Sequence, residues 1–298
     1  MDFRHLRYFL AIAERGSVRE AAEAVHISQP ALSRQLQDLE DELGATLFTR
    51  SARGVSLTPI GEAFLVHARQ ILATAQASKD QVRRMAAGLE GRLCLGFVEN
   101  ATWDGRLPMA FRQFKESAPD VDLDLVPLNS PEQLDRLEAG TLDGALIYPF
   151  GDLPAHWHRR LLVTYDVVVA LPNSWQFPSG PPRSLRQLQD RDFIVFPRHV
   201  YPAYYDRLMG QCHALGTPLR SIQSAATESA ILSLVSSGMG AAIVNSANRY
   251  RPPALVDFVA LEDLSIPLPL TFVRRAADPN PVLRRFEQVL EAVFPLSS

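Results

Sequence analysis

Cysteine is scarce in this 298-residue sequence: Cys94 and Cys212 are the only two, and they form no CxxC pair. Two thiols permit one disulfide without requiring it, so a reduced, cytoplasmic setting is the simpler expectation. No uninterrupted run of about 18 apolar residues occurs, so no membrane-spanning helix is expected. The opening stretch MDFRHLRYFLAIAERG lacks the apolar segment and small-residue cleavage site of an export signal. Catalytic signatures are missing too. There is no GxSxG, HExxH, phosphate-binding loop or GxGxxG, and Gly238-Met239-Gly240 is too short to stand for a nucleotide site. Serine, histidine and aspartate are available, but no spacing ties them into a triad. His156 and His158 in HWHRR have no third ligand nearby and read as surface residues. The expectation is therefore no enzyme, no cofactor and no resident metal. Excess positive charge is absent as well. A net charge of −3 argues against a protein that coats nucleic acid through bulk charge, but not against a reader with its basic groups on one face.

Hydrophobic residues make up 47% of the chain and charged residues 21%, which suits a soluble globular protein of roughly two domains. Leu6, Phe9, Leu10 and Ala13 recur at helical spacing and predict a first helix ending at Gly16. Ser17 with Glu20 reads as a capping box that opens a second helix, with Ala21, Ala22 and Val25 on its inner face. Ser28 caps a third, with Pro30 in its first turn. Leu32, Leu36, Leu39 and Leu43 then repeat at four, three and four, so they are expected to face inward. The other side carries Gln29, Pro30, Ser33, Arg34 and Gln37, short polar groups and one forked cation suited to base edges and phosphates in a major groove. The acidic residues Asp38, Glu40, Asp41 and Glu42 fall in the later half, away from phosphates if the helix enters N-terminus first. One such helix alone would read as a solvated surface helix; the paired caps and the next segment favour DNA. LFTRSARGVSLT, 47–58, reads as two short strands around a turn, a wing placing Arg50 and Arg53 near a minor groove.

The stretch from Phe3 to Gly61 resembles the DNA-binding domain of LysR-type transcriptional regulators, through LRYFLAIAERGSVREAAEAVHISQPALSRQLQDLEDELGATLF and then TRSARGVSLTPIGE. The resemblance implies a winged helix-turn-helix over 1–58 whose DNA contacts are Gln29, Pro30, Ser33, Arg34, Arg50 and Arg53.

Thr58 and Pro59 form an N-cap and first-turn pair, and no proline follows until Pro108. Phe64, Ala68, Ile71, Ala75, Ser78, Val82, Met85 and Leu89 alternate four and three, a seam of more than three heptads that Gly88 and Gly91 terminate. Packing on its own domain would explain a long helix. Dimerisation explains the seam better, and the resemblance implies the same: a linker helix over 59–90 pairing two subunits, two related half-sites in duplex DNA, and in the family often a tetramer.

Beyond Gly91, strands alternate with helices: 92–97, 105–117, 121–128, a helix opened by Ser130 and Pro131, 144–148, 165–171, 192–196, about 203–215, 221–225, a helix from Thr227, 241–245, 268–273 and 281–294. Such alternation predicts α/β architecture with a mostly parallel sheet. This part resembles the periplasmic-binding-protein-like effector domain of the same family, best in LEAGTLDGALI and LVSSGMGAAIV. The likeness implies an effector-binding domain over 91–298, with subdomain I at 91–162 and 268–298 and subdomain II at 163–267. A small-molecule effector would lie between them, at strand ends where helix N-termini converge and favour a small organic anion. Asn100, Thr102, Ser130 and Thr227 match effector-binding loops by position, although Ser130 and Thr227 also read as plain helix caps. In FPRHVYPAYY, Arg198 and His199 could pair a carboxylate or sulfonate and Tyr201 or Tyr204 wall an aromatic ring, against the plainer reading of a solvated loop. Relatives that sense aromatic acids often carry an arginine after the strand where this chain has Tyr148. The expected function is effector-responsive regulation of transcription. Alternatives are a solute-binding protein with a fused helical module, or a regulator controlled by a protein partner.

Overall fold

The computed structural model describes residues 1–51 and 54–295. The chain divides into two compact units, Met1–Arg84 and Met85–Ser298.

In the first unit, α1 (Phe3–Arg15), α2 (Val18–Ala24) and α3 (Gln29–Leu43) precede a hairpin of β1 (Phe48–Ser51) and β2 (Gly54–Leu57), then α4 (Pro59–Ala86). Asp2 caps α1 by accepting from the Arg4 and His5 amides. Ser17 accepts from the Glu20 amide at 3.4 Å, but the reciprocal half of the expected box is not made. Ser28 accepts from the Ala31 amide at 3.4 Å. Leu32, Leu36 and Leu39 are buried in one core with Leu6, Phe9 and Ile12, and Phe9 meets Phe48 and Phe64 with ring centroids 5.2 and 5.0 Å apart. Leu43 departs from the expected inward row. It is 39% exposed, because α3 turns out of the core in its last turn before Gly44 takes a left-handed conformation. The hairpin is antiparallel and hooked to the α1–α2 turn by a Val55 N–H bond to the Gly16 carbonyl. A side chain at Gly54 would collide with that carbonyl, which accounts for the glycine. Glu40, expected only to avoid phosphates, instead holds the start of the wing. Its carboxylate accepts from the Leu47 and Phe48 amides at 2.6 and 3.2 Å.

Helix α4 starts where Thr58 Oγ1 accepts from the Gly61 amide at 2.9 Å. Ala68 is buried, whereas Ile71, Val82 and Met85 on the predicted seam are exposed, Val82 at 65%. Leu89 falls beyond the last helical residue and packs on the core of the second unit, so it leaves the seam.

The second unit contains two sheet systems. The first runs β4 (Asp120–Pro127), β3 (Glu90–Phe97), β5 (Gly144–Ile147), β12 (Leu268–Arg275), β6 (Trp157–Tyr165). α5 (Arg106–Ser117), α6 (Ser130–Glu138) and α9 (Pro281–Val293) pack with it, Phe286 meeting Phe111, Phe114 and Phe272. The second runs β10 (Ala242–Asn245), β7 (Val167–Pro172), β11 (Val256–Val259), with β8 (Asp192–Val195) and β9 (Arg220–Ser224) joined to it by a Phe193–Ala241 bridge. α7 (Pro202–Ala214) and α8 (Glu228–Ser236) complete it.

The mostly parallel sheet expected from alternation is corrected to mixed sheets. β3 is parallel to β4 and β5, and β8 to β9, but β12 is antiparallel to β5 and β6, and β7 to β10 and β11. The chain leaves the first system after β6 and returns as β12, so the returning strand runs against its neighbours. One carboxylate holds both passages together. Asp166, between β6 and β7, accepts from Val167 N at 2.7 Å on the outgoing passage, and from Ile266 N at 2.7 Å and Ser265 Oγ at 2.6 Å on the return.

Candidate nucleic-acid interface and ligand cleft

The N-terminal turns of α3 present Gln29, Pro30 and Arg34 as exposed residues, with Ser33 half-buried between them. Arg50 is exposed on β1, and Arg53 lies outside the described residues. Neither Arg34 nor Arg50 is tied to a carboxylate among the described residues, which leaves both guanidinium groups available for phosphate or base edges. Gln37 differs: its amide nitrogen binds Asp41 at 2.8 Å, so it is spent within the helix.

Between the two sheet systems of the second unit lies a cleft of about 690 Å³, within the range of small-molecule sites. Strand ends and helix starts supply its walls. Val98, Glu99 and Asn100 follow β3, Leu128 and Asn129 follow β4, and Tyr148 follows β5. Thr227 and Glu228 open α8, and Asn245 ends β10. Of the six residues expected to bind an effector, Asn100, Tyr204 and Thr227 line it. Thr227 also caps α8, accepting from the Ala230 amide at 3.2 Å. Tyr204 is buried, its hydroxyl donating to the Ile243 carbonyl at 3.3 Å, so it offers a ring face rather than a polar handle.

The other three do not line it. Ser130 is 4% exposed and its Oγ accepts from the Tyr148 amide at 3.1 Å; the cap of α6 is Asn129, one residue earlier than expected. Thr102 donates to the Glu99 carbonyl at 2.8 Å within a short 3-10 turn. Arg198 forms two bonds to Asp206, at 2.7 and 2.8 Å, on an exposed surface. That carboxylate, on the following helix, was the competitor that reading the loop by itself could not weigh.

Glu228 is the lining carboxylate that ties β10 to the turn after β3. Its carboxylate accepts from Asn100 Nδ2 at 2.6 Å and from the Asn245 amide at 3.1 Å. Burial pushes its pKa up, the hydrogen bonds from Asn245, Asn100 and Asn248 pull it down, and Glu99 adds repulsion. Its negative field reinforces the burial that raises the pKa of Tyr148, Tyr201 and Tyr204, so all three hydroxyls stay protonated. Around it, buried polar atoms lack partners: Asn100 Oδ1, the Tyr148 hydroxyl and Asn245 Nδ2. Asn245 lies near enough to the Tyr148 hydroxyl to oppose the rise in its pKa, but the two atoms do not meet in hydrogen-bond geometry. The sequence points to Glu228 only as the neighbour of Thr227. Asn245 was findable, since it stands at the carboxyl end of a strand.

The charge of the cleft runs against the expected organic anion. Glu99, Glu132, Asp135 and Glu228 line it, with His199 and, among the described residues, no lysine or arginine. The helix N-termini that suggested an anion are already served by the chain's own carboxylates. Glu132 completes a capping box on α6 with Asn129, and Glu228 occupies the first turn of α8. His156 and His158 sit on the surface beside Glu138 and Glu287, and no metal-binding cluster occurs among the described residues.

Comparison with known proteins agrees with this architecture. A sequence profile described as "Bacterial regulatory helix-turn-helix protein, lysR family" matches residues 3–62, and one described as "LysR substrate binding domain" matches residues 86–295. The chain belongs to the LysR family of transcriptional regulators. It is 37% identical over 265 residues to the HTH-type transcriptional regulator IlvR of Caulobacter vibrioides, covering 88% of each chain. With the regulator TfdS of Cupriavidus pinatubonensis it shares 33% identity over 97% of each. The crystal structure of CbnR, a LysR family transcriptional regulator, superposes with a TM-score of 0.81 at 30% identity, covering 97% of this chain and 100% of that one. Full-length CbnR complexed with its target DNA also gives 0.81, at 29% identity, covering 98% and 99%. Membership makes the chain a DNA-binding transcriptional regulator rather than an enzyme, and sets aside the solute-binding alternative.

Proposed function

We propose that this regulator reads an operator with α3 and the wing, and that a small molecule seated between the two sheet systems changes how it does so. Gln29, Pro30, Ser33 and Arg34 face the major groove, and Arg50 and Arg53 face the backbone and adjacent minor groove. The exposed apolar seam of α4 pairs two chains, so the operator carries two-fold related half-sites, and two such dimers form the working tetramer. Ligand occupancy favours one arrangement of the subdomains over another, a population shift read out as altered DNA binding.

One observation carries the ligand reading: Asn100 Oδ1, the Tyr148 hydroxyl and Asn245 Nδ2 are buried on a single cleft and unpaired. Unpaired buried polar atoms are costly, and a bound molecule with matching groups satisfies them. Thermal-shift screening of the full-length protein with small polar metabolites tests this. A ligand that binds the folded state raises the melting temperature, and Tyr148→Phe reduces that rise. If no small molecule raises it, the cleft is not a ligand site and control lies with another partner.

A further inference from the structure

We infer that the cleft takes a compact organic cation, a protonated amine on an aromatic or short aliphatic body. This inference rests on the ligand-binding reading above and specifies its chemistry. The first ground is charge. Glu99, Glu132, Asp135 and Glu228 line one cavity, and no lysine or arginine among the described residues lines it to balance them. Nearby arginines are engaged elsewhere: Arg198 with Asp206, and Arg106 with Asp104, each at 2.7 Å. A carboxylate ligand would enter against four acidic side chains, whereas an ammonium group would be attracted by them.

The second ground is the set of unpaired atoms, which is independent of the acidic residues. Asn100 Oδ1 is a buried acceptor beside Glu228, and Tyr148, 8% exposed, brings a hydroxyl with no partner to the same cavity. Both can accept an ammonium N–H. Asn245, 3% exposed, leaves Nδ2 as a donor, which suits a hydroxyl or carbonyl oxygen elsewhere on the same molecule. The third ground is the wall. Trp103, Phe150 and Tyr201 line the same cavity, and ring faces attract cations. Carboxylates, free acceptors and aromatic faces in one enclosure describe an amine site.

The test is a matched pair of ligand sets on the full-length protein: phenethylamine, tyramine and putrescine against hydrocinnamate, phloretate and succinate, read by thermal shift and by tryptophan fluorescence, to which Trp103 in the cavity wall contributes. The amines are expected to raise the melting temperature and the carboxylates not to. Glu228→Gln should weaken amine binding by about tenfold or more, and Glu132→Gln, on an exposed helix start, by less. Equal or stronger binding of the carboxylates, with Glu228→Gln neutral or favourable, overturns the amine while leaving the cleft a ligand site. No response to either set overturns the amine inference, and the ligand reading is then decided by the wider metabolite screen.

Discussion

At the scale of single residues, Glu228 sets the character of the second unit. Its pKa is raised in the folded state, so over the range just above the ordinary glutamate value the folded protein binds more protons than the unfolded chain. Stability from this group is fullest below the unfolded pKa and falls as pH rises through the folded one. Glu228→Gln in the ligand-free protein should therefore raise the melting temperature near neutral pH, and the gain should vanish in acid; a melting series across pH checks it. Stability gained there and amine affinity lost would mark a site held at a stability cost for function. In the other unit, Arg34→Ala should weaken operator binding by about 1–3 kcal/mol at fixed salt, measured by fluorescence anisotropy. Residue types and helix faces are readable along the chain, and Gln29, Pro30 and Arg34 are indeed exposed on α3. Pairings across long sequence separations are not readable in that way. Asn100 meets Glu228 across 128 residues, and Asp206 removes Arg198 from the candidate ligand contacts.

At the scale of elements, periodicity and caps carry most of the information. The leucines of α3, the Thr58–Pro59 start of α4 and the short strands of the wing are local signals, and local signals suffice for elements that pack by one face. Strand direction is not local. β12 runs antiparallel because the chain has already crossed to another sheet and come back, and nothing in LPLTFV announces that. β6 is invisible in the sequence for a related reason: it is an edge strand with exposed charged residues, so its alternation is weak. Glu40 shows how an element can rest on one side chain. Glu40→Ala would leave the Leu47 and Phe48 amides without their partner at the start of the wing, and should destabilise the first unit by about 1–3 kcal/mol in chemical denaturation. The seam of α4 gives a separate prediction. Val82→Glu places a charge on an apolar position that is 65% exposed in the single chain, and should shift the protein toward monomer in sedimentation analysis without unfolding it.

At the scale of the whole molecule, the proposed function requires the DNA-binding unit to respond to a cleft lined by carboxylates and aromatic rings. The coupling requires the two sheet systems to take more than one relative arrangement, and both passages between them are fastened at Asp166. Asp166→Ala should loosen that junction, lower the melting temperature and blunt the response of DNA binding to ligand while leaving ligand-free operator affinity nearly unchanged. Footprinting of the full-length protein on its operator, with and without a saturating amine and with Glu228→Gln beside the wild type, probes the coupling end to end. A footprint whose length or internal spacing changes with the amine in the wild type, and not in Glu228→Gln, is the expected result. A footprint that the amine leaves unaltered in the wild type, while the amine demonstrably occupies the cleft, would show that cleft and operator are not coupled.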